Sequence, residues 1–218
     1  MMRTGLLDGK LYRACEWVTR LAYVNLLWIF FTIIGLVIFG IAPATVALFT
    51  VIRKWIFFHD TEIPVLKTFA RTYKREFWRA NRIGLFLLAM GYIFYVDMLY
   101  LAHVSPEWKF PFSVALLVVF LFYTVVLLYV FPLYVHYELR FWQYMKYALL
   151  IGMANPLMTL VMLIGLGILL FVLMYIPGLI PFFSISTMAL VVMGTALRVF
   201  RKMEEKIHGQ HDLPSTRG

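Results

Sequence analysis

The sequence predicts an all-α, polytopic membrane protein: six transmembrane helices as three hairpins, both termini cytoplasmic, and one amphipathic helix at the inner surface. Three observations carry this. Of 218 residues, 63% are apolar and 18% aromatic, too much apolar surface for a water-soluble globule to cover. Apolar runs recur along nearly the whole chain, close to the length of about 20 residues that crosses roughly 30 Å of hydrocarbon as a helix. Lys and Arg fall into clusters between alternate runs, as the positive-inside bias requires.

The spans are expected at about residues 21–41, 43–58, 83–104, 110–135, 148–175 and 179–200. They form a single membrane domain, 1–203, followed by a polar C-terminal tail, 204–218. The first run follows Arg3, Lys10, Arg13 and Arg20. Cleavage after Ala42 would place Pro43 next to the cut, so an uncleaved first helix is expected rather than a removed signal peptide.

The second span, "GIAPATVALFTVIRKW", is decided by charge. If it crosses, nineteen of the twenty basic residues lie inside and Lys109 alone lies outside. If it does not, Arg53, Lys54 and the six basic residues that follow them fall on the opposite side from the N-terminal four. The crossing is short: sixteen residues at 1.5 Å each give about 24 Å, which requires local thinning or a start nearer Phe39. Pro43 suits a helix start, "GIAPAT" suits a tight outer hairpin, and Arg53 and Lys54 are expected to reach the headgroups on flexible stems. Trp17, Trp55, Trp78, Trp108 and Trp142 fall at expected interfaces, with Trp28 deeper.

After Pro64, apolar Val65, Leu66, Phe69, Tyr73 and Phe77 alternate at helical spacing with Lys67, Arg71, Lys74, Arg75, Arg79 and Arg82. This predicts an amphipathic helix over about 64–80. Its basic residues are candidates for contact with anionic lipids or for docking a partner protein. Nucleic acid is not an expected partner, because basic residues beside spans are already explained by insertion.

"FWRANRIGLFLLAM" at Phe77 and "FWQYMKYALLIGMA" at Phe141 share Phe-Trp and a basic residue four positions after the Trp, and "EWVTRLAYVNLLW" at Glu16 echoes them. Either the three hairpins form a parallel repeat or membrane entry points simply look alike.

Chemistry-bearing motifs are sparse. The chain has no Walker loop, HExxH, G-x-S-x-G or paired-cysteine pattern, so no catalytic residue, cofactor or metal is assigned and the protein reads as a non-enzyme. Lone Cys15 cannot form an internal disulfide. His59, Asp60, Glu62, His136 and Glu138 end spans on the same side without metal-ligand spacing. Inside the membrane, Asp97 is the acidic residue well within a span and is either functional or held structurally. Asn155 and Pro156 break the fifth span, as a transport site or as a kink. Ser184, Thr187, Val191 and Thr195 form a small-residue stripe that reads as a packing seam.

"NLLWIFFTIIGLVIFGIAPATVAL", "TFARTYKREFWRANRIGLF" and "MKYALLIGMANPLMTL" resemble the three recognisable stretches of the YesL-like family of bacterial integral membrane proteins, which carry a domain of unknown function. Family members tend to have Gly before the Pro-Ala of the first hairpin; this chain has Ala42. The resemblance supplies no catalytic residues. It implies a multi-pass protein of the bacterial cell membrane, in a genomic setting shared with carbohydrate ABC importers. Two functions are carried forward: an accessory subunit docking on an importer's permease through its spans or its inner amphipathic helix, and an independent small-solute permease using Asp97 and the Asn155-Pro156 break.

Overall fold

The computed structural model describes residues 4–58, 60 and 62–211, and these contain helices and no strand. Seven α-helices follow one another: α1 (Thr4–Ile34), α2 (Ile38–Phe57), α3 (Val65–Tyr100), α4 (Pro106–His136), α5 (Phe141–Ala154), α6 (Pro156–Tyr175) and α7 (Ile180–His211). Six segments are long and apolar enough to cross a membrane: Cys15–Ile34, Ile38–Phe57, Val65–His103, Pro106–His136, Pro156–Tyr175 and Pro177–Glu205. The expected all-α class with six span-length helices is the observed one.

Contacts among α1, α2, α4 and α7 gather the charged ends together. Trp17 meets Trp55 edge-on at 5.9 Å, Arg53 donates to the Val135 carbonyl, and His136 lies 3.7 Å from Glu204. This basic end is opposed by the connections at Gly35–Val37, Leu101–Ser105 and Pro177–Leu179.

The first hairpin turns earlier than the sequence leads one to expect. The chain reverses at Gly35–Val37, not at "GIAPAT", and Pro43 lies inside α2 rather than at its start. Helix α2 therefore has twenty residues, or about 30 Å at 1.5 Å per residue, and needs no thinning; the start near Phe39 is the outcome. The tight turn depends on missing side chains. A Cβ on Gly35 would overlap the Gly40 backbone, and one on Gly40 would overlap Thr32. Leu36 and Val37 take positive φ of 56° and 62°, a conformation that is costly for a β-branched residue.

Helix α2 is the central post, packed against α1, α3, α4 and α7. Its small residues Gly40, Ala42, Ala44 and Ala47 are buried and admit close neighbours, which is how helices associate when lipid supplies no hydrophobic drive. A Cβ on Gly84 of α3 would overlap Ala42, so Ala42 serves the α2–α3 seam instead of the turn. Trp55 is 2% exposed. It is a core residue against Trp17, not the expected interface anchor, whereas Trp78, Trp108 and Trp142 are exposed.

The segment after Pro64 is not a separate surface helix. It runs without interruption into the third span as the 36-residue α3, because no Gly, Pro or cap breaks the register between Val65 and Ile83. The fifth span is divided instead: α5 ends at Ala154, Asn155 leaves helical geometry, and α6 starts at Pro156. The two Phe-Trp pairs consequently differ, one lying within α3 and the other opening α5. Helix α7 continues to His211, into the expected polar tail; residues 212–218 lie outside the described residues.

Candidate functional site

At the basic end, α2, α3, the end of α4, the linker 137–140 and the start of α5 line a half-open cavity of about 980 Å³. Arg53, Arg75, Arg79, Arg82 and Arg140 line it, against Glu76 and Glu138, so three positive charges are in excess. Six residues line it from one face of α3: Thr72, Arg75, Glu76, Arg79, Arg82 and Ile83 follow the three- and four-residue steps of a helix. Val46 and Ile83 form apolar wall, and Tyr134, Tyr144 and Gln143 bring hydrogen-bonding groups.

Arg53 does not lift its charge to the headgroups. Its Nη1 donates to the Val135 carbonyl in the last turn of α4, where a helix leaves acceptors free and its dipole favours a cation. The guanidinium carbon lies 5.8 Å and 5.5 Å from the Phe57 and Phe58 ring centres, and the buried Nε has no hydrogen-bond partner among the described residues.

Glu76 accepts hydrogen bonds from Arg75 Nε and from the Tyr134 hydroxyl, each at 2.7 Å, which satisfies a nearly buried carboxylate. By contrast, among the described residues no carboxylate lies within ion-pair distance of Arg79, Arg82 or Arg140. Two tyrosines hold the linker that completes the wall. Tyr144 donates to the Tyr137 carbonyl and accepts the Leu139 amide, both at 3.0 Å. Burial holds its phenol above the ordinary range; Glu76 and Glu138 act in the same direction and Arg79 against it. Tyr137 donates to Glu204 at 2.8 Å, and burial with that carboxylate keeps it protonated well past neutral pH. Arg140 and Gln143 exchange bonds at the start of α5, the Arg140 amide donating to Gln143 Oε1 at 2.8 Å and the Gln143 amide to the Arg140 carbonyl at 2.9 Å.

The structure splits the six basic candidates of the post-Pro64 segment. All six are exposed, but Arg75, Arg79 and Arg82 line the cavity while Lys67, Arg71 and Lys74 do not. Sequence reasoning missed Arg53, Glu76, Tyr134, Arg140 and Tyr144 as parts of this site. Only the spacing of Arg75, Arg79 and Arg82 around Glu76 signalled a common face.

The intramembrane candidates are not brought together. Asp97 lies half-exposed on α3, and among the described residues its carboxylate has no ion pair. The break at Pro156 is closed internally: Thr159 Oγ1 donates within 3.1 Å of the Gly152 and Asn155 carbonyls, Tyr129 joins it at 3.1 Å, and Asn155 Nδ2 donates to Ile151. On the small-residue stripe, Thr195 is buried and Val191 faces Gly165 of α6. Among the described residues no three His, Cys, Asp or Glu side chains converge; His136 packs on Phe57, Tyr137 and Phe200, and His59 lies outside the described residues. Cys15 is exposed.

The sequence model of a family described as "Protein of unknown function, DUF624" matches residues 21–98. Three relatives come from Bacillus subtilis (strain 168), and all three are uncharacterized proteins. YteU is 44% identical over 201 residues, covering 92% of this chain and 89% of the relative. YesV is 43% identical over 208 residues, covering 95% and 99%, and YesL is 37% identical over 194 residues, covering 88% and 90%. No solved structure matches. With similarity extending across all the spans, the chain belongs to the YesL-like family of multi-pass helical proteins that carry DUF624.

Proposed function

We propose that the protein is a non-enzymatic accessory subunit of a bacterial carbohydrate ABC importer, seated beside the permease in the cell membrane through the α3–α4 hairpin. The observation that carries this is the outer half of α3. From Leu88 to Tyr100 no residue is buried, yet this stretch holds Asp97. In the facing part of α4, from Pro106 to Phe122, Leu116 alone is buried. The hairpin closes on itself through Phe94 stacked on Phe120 at 5.2 Å and through the Tyr123 hydroxyl donating to the Leu87 carbonyl at 3.0 Å, and its remaining faces are left over. A carboxylate at hydrocarbon depth is costly against lipid. A permease span bringing a hydrogen-bond donor to it removes that cost and covers the apolar surface. The importer as partner comes from the setting of the family, not from the geometry.

A permease built on Asp97 and the helix break receives less support, since the groups freed at Pro156 are already bonded to Thr159 and Asn155. The test is gentle-detergent purification from the native host with identification of co-purifying proteins. An importer permease should co-purify. Tyr95→Ala with Asp97→Asn should release it, while Lys67→Gln, Arg71→Gln and Lys74→Gln together should retain it. Absence of any permease with the unmodified protein overturns the reading; release by the basic variant alone moves the contact to the inner surface.

A further inference from the structure

The basic cavity is not explained by insertion or by lateral docking. Positive-inside bias asks only that cations lie near the inner surface; it does not ask that five guanidiniums from three elements surround one space of about 980 Å³. Their arrangement is selective in which cations it leaves without a counter-charge. Arg75 is engaged by Glu76, and Arg53 uses one nitrogen on Val135 while its buried Nε has no hydrogen-bond partner among the described residues. Arg79, Arg82 and Arg140 have no carboxylate partner among the described residues. Arg79 and Arg82 come from α3 and Arg140 from the linker between α4 and α5, and all three line the same space.

We infer that this cavity is a binding site for a phosphate ester, entered from the basic end of the bundle. A carboxylate offers two oxygens and saturates one fork. A phosphate ester offers two or three unesterified oxygens splayed tetrahedrally about one centre and can accept from several guanidiniums at once, the geometry for which Arg is suited over Lys. Its one or two negative charges have the sign that the excess of three cations over the two glutamates calls for, and one of those glutamates, Glu76, is already bonded by Arg75 and Tyr134. Val46 precedes Arg53 on α2 and Ile83 directly follows Arg82 on α3, so apolar surface adjoins the arginines and an ester with an organic portion fits better than the bare ion. Both a phospholipid headgroup and a soluble phosphorylated solute have this chemistry. The assignment goes beyond the accessory role and does not depend on it.

The test uses the full-length protein in nanodiscs of phosphatidylcholine, titrated with radiolabelled glycerol 3-phosphate, and in nanodiscs doped with phosphatidylglycerol, where retained lipid is counted by native mass spectrometry. Binding of glycerol 3-phosphate identifies a soluble source, and retention of phosphatidylglycerol alone identifies a headgroup; each supports the site. Arg79→Gln with Arg140→Gln should weaken whichever binding is seen by about tenfold or more, as expected for losing charge-assisted hydrogen bonds. Arg79→Lys should fall between, because it keeps the charge and loses the fork. Arg71→Gln with Lys74→Gln removes two charges from the same helix outside the cavity and should change binding by less than about twofold. Unchanged melting of all variants verifies their folding. Binding of neither probe to the unmodified protein overturns the inference, as does equal weakening by the two double variants. Loss of permease co-purification by the α3–α4 variants with phosphate binding intact would separate a failure of docking from a failure of this site.

Discussion

The side-chain oxygen of Asn25 accepts the backbone amide of Ser186 at 3.0 Å, joining α1 to α7 across 161 positions of sequence. The same oxygen accepts the Ile185 amide at 3.1 Å, and Asn25 Nδ2 donates to the Pro181 carbonyl at 2.7 Å. Asn25 is fully buried, so one amide bonds the first turns of α7 to the first span. Hydrogen bonds between spans contribute roughly 0.6 kcal/mol each on average. Asn25→Ala, which also leaves a small void, is therefore expected to destabilise by about 2 kcal/mol. Thermal melting in detergent checks this; a melting point equal to that of the unmodified protein would show that the clasp contributes nothing.

The first turn gives a paired prediction. Gly40→Ala places a methyl into the Thr32 backbone and should cost at least about 2 kcal/mol. Gly167→Ala meets nothing within 4 Å and should stabilise α6 by up to about 1 kcal/mol, since Ala is the better helix former. Similar melting points for the two variants would contradict the position of the turn.

Strain at Val37 leads to the opposite sign. Its φ of 62° is free for glycine and unfavourable for a β-branched side chain. Val37 is exposed, so Val37→Gly removes little packing and should raise stability by about 1 kcal/mol. A lower melting point would place the turn elsewhere.

The break in the fifth span should behave as structure. Thr159→Val deletes the hydroxyl that bonds to the Gly152 and Asn155 carbonyls and should cost roughly 1–2 kcal/mol. Thr159→Ser keeps the donor and should recover most of that. Equal losses for both would mean the methyl, not the hydroxyl, is what the site requires.

Sidedness is tested with single cysteines in a Cys15→Ser background. Glu107 and Gly178 are exposed at the end opposite the arginines, and Arg71 is exposed at the basic end. If the basic end is cytoplasmic, an impermeant thiol reagent should label Glu107→Cys and Gly178→Cys on intact cells and spare Arg71→Cys. Labelling of Arg71→Cys from outside would invert the arrangement.

Much of this protein was fixed by sequence alone. Span number and hairpin order follow from apolar run length and from the placement of Lys and Arg, because a helix must satisfy its backbone internally and charge must avoid hydrocarbon. These are local requirements, visible residue by residue. Only the tertiary structure decided where the first turn falls, since the choice between Gly35–Val37 and "GIAPAT" depends on the close approach of Gly40 to Thr32, a contact between two helices. It likewise set Trp55 against Trp17 of α1 and Arg53 against the end of α4, because α2 packs among four helices and those positions meet protein. The cavity was the least legible feature. Arg75, Arg79 and Arg82 share a face by helical spacing, but Arg53 and Arg140 reach the same space only because α4 ends against α2 and the Tyr144 hydroxyl holds the linker in place. Periodicity reports which side of one helix a residue occupies; it cannot report which other helix that side will meet.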